Sequence, residues 1–144
     1  MTLPEGSYSI FGERGRIDLL SFHPVTGTLE VAEIKSGGTW DLQDMLGRLG
    51  AKVRLAPQIA APHGWKVRWV VGAPVIADGR TARRRVAEHE PLFARFASRG
   101  AAARAFVRAP SADVRGLLAF IPLPDSNHGH SRRAGQRAVS VKKA

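Results

Sequence analysis

The chain has 144 residues, of which 44% are hydrophobic and 24% charged, so it fits one globular domain and is too short for two of ordinary size. It contains no cysteine, which excludes disulfides and thiolate metal sites. No apolar run approaches the roughly 20 residues of a membrane span, and the start lacks the features of a signal peptide. We therefore expect a soluble, cytoplasmic protein with no membrane partner.

The charge balance is strongly basic, with 22 Lys and Arg against 12 Asp and Glu and a formal net charge of +10. Such a balance suits a polyanion, because each neutralised phosphate releases condensed counterions. DNA is the partner that this favours. The alternative is coding bias, since arginine outnumbers lysine and alanine is abundant.

The first third of the chain predicts three short strands. Residues 7–11 are a β-prone run, residues 16–23 form a second strand, and residues 28–35 a third. Residues 24–27, Pro-Val-Thr-Gly, supply the turn chemistry between the last two. Strands joined by such tight turns form an antiparallel meander.

A helix follows from about Asp41, where apolar residues recur at three-to-four-residue steps: Leu42, Met45, Leu46, Leu49, Val53 and Ile59. Thr39 or Asp41 is the expected N-cap, and Pro57 should interrupt the helix or begin a new turn. Residues 66–72 predict a buried strand with Trp69 in the core. A strand after a crossover helix usually joins the sheet in parallel.

The second half predicts two or three short helices over residues 80–107 and a last strand over residues 116–121. The expected buried positions of these helices are Val86, Leu92, Phe93, Phe96, Phe106 and Val107. Residues 122–144 are rich in Pro, Ser, Gly and Arg, which predicts a disordered basic tail. Residues 1–121 are thus interpreted as one α/β domain.

Strand geometry brings three charged residues together. Side chains two positions apart share a face of a strand, so Glu33 and Lys35 point the same way. A four-residue loop pairs His23 with Thr28, and the same register places Asp18 opposite Glu33. Opposed carboxylates repel each other, and a divalent cation between them removes that repulsion.

The chemistry of this trio suits phosphodiester hydrolysis. Mg²⁺, or Mn²⁺ in its place, takes one or two carboxylates together with water and a substrate phosphate. The metal would polarise the phosphate and supply the nucleophile. Lys35 is a compact cation able to hold the attacking water or the developing charge. No small-molecule cofactor is expected, because the chain has no phosphate-loop motif.

The chain resembles the PD-(D/E)xK nuclease superfamily, which has the restriction-endonuclease-like fold. The resemblance rests on Gly15-Arg16-Ile17-Asp18, on Glu33-Ile34-Lys35 after a hairpin, and on the helix and strand that follow. The resemblance implies a mixed-sheet core and Mg²⁺-dependent cleavage of nucleic acid, with Asp18 and Glu33 as metal ligands and Lys35 as the third catalytic residue. The tract from Phe11-Gly-Glu-Arg-Gly-Arg-Ile-Asp through Asp41-Leu-Gln-Asp-Met-Leu-Gly-Arg-Leu is also similar to the C-terminal domain of actinobacterial helix-turn-helix regulator proteins, and this similarity extends to about residue 121.

The departures from that family leave an alternative open. The usual first helix is lacking, and Gln43 is followed four residues later by Gly47 rather than by tyrosine. Glu13 and Gln43 are candidate accessory residues. The chain is thus interpreted either as a metal-dependent endonuclease or as a catalytically inactive nucleic-acid-binding or regulatory module of a helix-turn-helix protein family.

Nucleic-acid contacts are expected from Arg16, Arg48 and Lys52. The competing interpretation of Arg48 and Lys52, together with Gln43 and Asp44, is a solvated polar face of the helix. Arg83, Arg84 and Arg85 form a run for which a solvated helix end is at least as good an explanation as a DNA contact. A homodimer is compatible with the sequence.

Overall fold

The computed structural model describes residues 2–10, 13–36, 40–111 and 113–122, with side chains described from Asp18 onward. This part of the chain forms an α/β fold with a mixed sheet, as the sequence predicts at that level. Its strands are β1 (Thr2–Ile10), β2 (Glu13–His23), β3 (Thr28–Lys35), β4 (Trp69–Ala77), β5 (Ser98–Arg99) and β6 (Leu117–Ile121). Its helices are α1 (Leu42–Ala60), α2 (Arg80–Glu88), α3 (Glu90–Phe93) and α4 (Ala101–Arg108).

The sheet has the order β1-β2-β3-β4-β6-β5. The pairs β1–β2 and β2–β3 are antiparallel, so the predicted meander is confirmed. β3 has the predicted bounds, whereas β1 and β2 both begin earlier than predicted. Their ladder extends from Thr2↔Ser21 to Ile10↔Glu13, and this pairing includes the Pro4 and Gly6 region that propensity alone assigns to an irregular lead-in.

α1 connects β3 to β4, and these two strands pair in parallel, as predicted. Asp41 caps the helix, its Oδ1 accepting the Asp44 N–H at 2.7 Å. The expected interruption at Pro57 is wrong, because the helix continues to Ala60 with Pro57 inside it. Pro57 itself is exposed, and its missing N–H removes one of the hydrogen bonds of the helix.

β4 begins later and extends further than the predicted strand over residues 66–72. Trp69 is its first residue and is 38% exposed, so the prediction of a buried Trp69 is wrong. Pro74 is fully buried within the strand. β4 and β6 first meet at an isolated Gly72↔Gly116 bridge. Their continuous ladder begins only at Val75↔Ala119. The missing proline N–H thus coincides with a gap in that ladder.

The core lies on both faces of the sheet. The larger cluster joins α1, α2 and α3 to one face through residues that include Met45, Leu49, Val86 and Phe93. The smaller cluster joins α4 to the other face through Ala103 and Phe106. The short strand β5 was not predicted, because two residues are too few to show the hydrophobic alternation that identifies a strand. None of the described helices combines the length and the apolar character of a membrane-spanning helix.

Val107 is 50% exposed, so its predicted burial is wrong. The neighbouring Phe106 and Ala103, three residues earlier, occupy the face of α4 that meets the sheet. One further residue turns the side chain by about 100°, away from that face. The structure describes the chain only as far as Pro122, so the rest of the predicted tail lies outside the described residues. The candidate N-cap Thr39 also lies outside them.

Candidate functional site

The β2–β3 pairing brings Asp18 beside the Glu33–Lys35 segment. The ladder extends from His23↔Thr28 to Leu19↔Ala32, which is the predicted register, and it ends one residue before Asp18 would pair with Glu33. There the Ile34 N–H donates to Asp18 Oδ2 at 2.8 Å. The carboxylate therefore takes the place of a main-chain acceptor at the point where the two strands stop pairing.

Glu33 is only 4% exposed and lies between two lysines. Its Oε1 accepts a hydrogen bond from Lys52 Nζ at 2.5 Å, and its Oε2 lies 3.9 Å from Lys35 Nζ. Burial of a charged group is tolerated only when it is paired. Lys52 supplies that pairing, whereas Lys35 has a side chain that is 29% exposed and makes the longer contact.

The position of Lys52 corrects the expectation of a solvated polar face. Lys52 is 6% exposed and belongs to the buried stripe of α1, between Leu49 and Ala56. Spacings of three and four residues from these two positions put Lys52 on the apolar face. That spacing is the sequence signal that identifies Lys52 as an inward-facing residue, and it was missed because the residue is charged.

The rest of the polar face of α1 is as the solvated interpretation predicts. Gln43 and Arg48 are exposed, and Arg48 pairs with Asp44 one turn away, with 3.1 Å between Nε and Oδ2. Exposed pairs of this kind contribute little to stability. Arg48 is therefore accessible for an external contact, whereas the ammonium of Lys52 is held inside by Glu33.

The crossover geometry explains how Lys52 reaches Glu33. α1 follows β3 and packs on both β3 and β4. Long side chains of a helix point back toward its N-terminus, and here that is the end near the last residues of β3. Leu20 and Phe22 belong to the same cluster as α1, so strand alternation places Asp18 on this face as well.

The residues at this site could bind Mg²⁺ only through two carboxylates, those of Asp18 and Glu33. Within the described residues no group of three or more His, Cys, Asp or Glu side chains comes together. Asp18 and Glu33 are the carboxylates present, and Mg²⁺ accepts such a pair when water and a substrate phosphate complete its octahedron. The oxygen Oε1 of Glu33 would then have to exchange its bond to Lys52.

Glu13 and Arg16 are further predicted site residues, and Arg83, Arg84 and Arg85 form the run weighed as a DNA contact. The side chains of Glu13 and Arg16 lie outside the described residues. The three arginines of α2 all have partners. Arg83 pairs with Asp78 at 2.6 Å, Arg84 approaches Glu88 at 3.8 Å, and the Arg85 guanidinium donates to the carbonyl of Trp40 and lies over its ring.

The opposite face of the sheet carries a half-open, mainly apolar groove of about 620 Å³. Glu30, Ala32 and Val107 are among its lining residues. Burial raises the pKa of Glu30 above its ordinary value, because desolvation disfavours the carboxylate. Strand alternation separates this groove from the Asp18, Glu33 and Lys35 cluster.

Comparison of the chain with protein-family models, with curated proteins and with solved structures gave no match.

Proposed function

We propose that the chain is a Mg²⁺-dependent nuclease-like domain that acts on DNA phosphodiesters. Two contacts at the end of the β2–β3 ladder carry this proposal: the Ile34 N–H donates to Asp18 Oδ2, and Glu33 Oε2 lies 3.9 Å from Lys35 Nζ. Two carboxylates and a lysine in that arrangement meet the requirements of metal-assisted phosphodiester hydrolysis. Mn²⁺ is expected to replace Mg²⁺, since both prefer oxygen ligands.

Each residue has a distinct part in the proposed chemistry. A bound Mg²⁺ would polarise the scissile phosphate and lower the pKa of a coordinated water. Asp18 and Glu33 would hold the ion, and the Ile34 N–H orients the Asp18 carboxylate. Lys35 is partly exposed beside Glu33, so its ammonium would be available to stabilise the charge that develops in the transition state.

The order of elements supports the same proposal. An antiparallel meander followed by a crossover helix and a parallel strand is the order implied by resemblance to the restriction-endonuclease-like core. The +10 charge of the chain adds a field that attracts a polyanion. Fold alone does not assign an activity, so the proposal depends on the site residues.

The test is cleavage of supercoiled plasmid and of branched DNA with Mg²⁺, with Mn²⁺ and with EDTA. Asp18→Asn retains an oxygen for the Ile34 N–H but removes the charge, and Lys35→Met removes the ammonium while keeping most of the stem. Each variant is expected to lose at least about a hundredfold in rate, as one preorganised charge is typically worth that much. Full activity in either variant would overturn the assignment.

A second candidate is a non-catalytic nucleic-acid-binding module, and one observation favours it. The Glu33–Lys52 pair already balances the buried carboxylate without a metal. Under this alternative, DNA binding is salt-dependent and insensitive to EDTA, and Asp18→Asn leaves it unchanged. No cleavage product forms with either metal.

A further inference from the structure

Lys52 is the most deeply buried charged group of the candidate site after its partner Glu33. The Lys52 side chain is 7% exposed and that of Glu33 is 6% exposed. The bond between them, 2.5 Å from Nζ to Oε1, is the shortest side-chain contact among those described at the site. The proposed catalytic chemistry assigns no part to this lysine.

We propose that Lys52 is the resident cation of the site, bound to the Glu33 oxygen that a divalent ion requires, so that metal loading displaces its ammonium. This inference depends on the proposed function, because it assumes that Glu33 is a metal ligand. It adds a regulatory property. Without metal, Glu33 is bound to Lys52 in an internal ion pair. When a divalent ion binds Glu33, this ion pair breaks.

Electrostatics in a buried site supports the exchange. A carboxylate removed from water needs a compensating cation, and breaking a buried pair leaves an uncompensated charge. Lys52 satisfies this need in the absence of metal. A divalent ion satisfies it with twice the charge, and two cations sharing one buried oxygen repel each other. Metal and ammonium are therefore competing occupants of Glu33 Oε1.

The chemistry of lysine allows the movement. Its ammonium is a compact charge on a flexible four-carbon stem, so the charge can leave Glu33 while the backbone of α1 stays in place. Lys35 does not have the same role, because its Nζ is 3.9 Å from the other oxygen of Glu33 and its side chain is partly exposed. Of the two described lysines beside Glu33, Lys52 is the one that donates a hydrogen bond to its carboxylate.

The first test measures Mn²⁺ affinity by isothermal titration calorimetry of the full chain. Lys52→Met removes the competing charge and should tighten binding by about 5- to 150-fold, the range of typical coupling between two sites. Lys66→Met is the matched control, because Lys66 is exposed and its loss changes the net charge equally. Unchanged or weaker binding by Lys52→Met, relative to this control, would overturn the exchange.

The second test uses the unmodified chain and therefore does not depend on the folding of a variant. Acetylation of individual lysines is followed by mass spectrometry with and without Mn²⁺. Lys52 should react slowly without metal and several-fold faster with saturating Mn²⁺, while Lys66 serves as the internal reference. A Lys52 rate that does not change with Mn²⁺ would contradict displacement.

The two proposals fail in different ways. If neither the unmodified chain nor Lys52→Met binds Mn²⁺, the metal site itself is wrong. If the unmodified chain binds Mn²⁺ but Lys52→Met binds no more tightly and Lys52 reactivity is constant, only the exchange is wrong. Binding seen in Lys52→Met alone supports the exchange in its strongest form.

Discussion

Both the proposed metal site and the proposed exchange with Lys52 depend on Glu33. It accepts a hydrogen bond from the buried Lys52 and lies near the partly exposed Lys35. Most surface ion pairs contribute little, but this one is removed from water. A buried pair is weak support for stability as a whole, yet losing one member is costly because the other keeps its charge in an apolar place.

The first prediction concerns that pair. Lys52→Met should lower the free energy of unfolding by about 3–5 kcal/mol in the absence of metal, which is the usual cost of breaking a buried pair from one side. The double variant Glu33→Met with Lys52→Met should recover much of the loss, because no unpaired charge remains. Urea unfolding followed by circular dichroism measures both, and equal losses in the two variants would show that packing, not charge, dominates.

The second prediction concerns Glu30 on the opposite face. Burial raises its pKa in the folded chain above the ordinary value of 4.5, so the folded state binds the proton more tightly than the unfolded state. The stabilising contribution of protonated Glu30 is fully present below that ordinary value and is lost as pH rises through the raised folded value.

Glu30→Gln should therefore increase stability at neutral pH and flatten the stability profile over this window. Thermal unfolding of the two proteins at a series of pH values measures the difference. A variant whose profile has the same slope as the unmodified chain throughout the window would contradict the assignment of the shift to burial. Glu88→Gln, which changes an exposed carboxylate, is the matched control.

Strand alternation and hairpin geometry were sufficient to predict the β2–β3 register, because a fixed loop length sets it. They did not predict that the ladder stops at Leu19↔Ala32. They also did not predict that Lys52 is the hydrogen-bond partner of Glu33. A lysine on a helix is usually solvated, and its burial here depends on a tertiary contact with β3 that no local pattern encodes.

At the scale of elements, the pattern predicts best where hydrophobic period and turn chemistry agree. β3, the start of α1 at Asp41 and the parallel crossover to β4 are such places. The prediction fails at Pro57, which lies inside the helix that it was expected to interrupt, and the strand predicted to end at residue 72 continues through Pro74. The missing N–H of Pro74 coincides with a gap in the β4–β6 ladder, and that gap depends on a strand distant in sequence.

The third prediction concerns the contact between β6 and the segment before β5. A Cβ added to Gly116 would lie 2.7 Å from the Arg95 carbonyl oxygen and 2.8 Å from Phe96 Cδ1. Because a backbone atom cannot give way as a flexible side chain does, Gly116→Ala should cost about 1–3 kcal/mol, as overpacking usually does.

Gly47→Ala provides the contrasting control. Gly47 lies in the interior of α1, and an added Cβ would meet nothing within 4 Å. The change should therefore stabilise by about 0.5–1 kcal/mol, since alanine loses less backbone entropy in a helix. Urea midpoints of the two variants test the pair. A neutral Gly116→Ala would mean that β6 is packed more loosely than these distances indicate.

At the scale of the whole molecule, the charge of +10 is the dominant long-range property. Many arginines of the described part are already engaged within the chain, as the pairs of Arg83 and Arg99 show. Pairing does not remove the net charge, so the field around the protein still favours a polyanion. This attraction is a prediction from the composition of the sequence.

The fourth prediction follows from that field. Binding to a fluorescein-labelled DNA duplex should weaken linearly in a plot of log affinity against log salt, with a Kd of about 10⁻⁴ to 10⁻⁶ M at physiological ionic strength if the contact is nonspecific. Fluorescence anisotropy at several KCl concentrations measures the slope. Affinity that is independent of salt would contradict a phosphate contact.

The most direct test of the proposed metal site is the stoichiometry of Mn²⁺ binding, measured by electron paramagnetic resonance on the unmodified chain and on Asp18→Asn. We expect at least one bound ion for the unmodified chain in the presence of a DNA duplex, loss of that ion in Asp18→Asn, and its retention in Glu88→Gln. Equal Mn²⁺ occupancy in all three proteins would contradict the claim that Asp18 and Glu33 form the site.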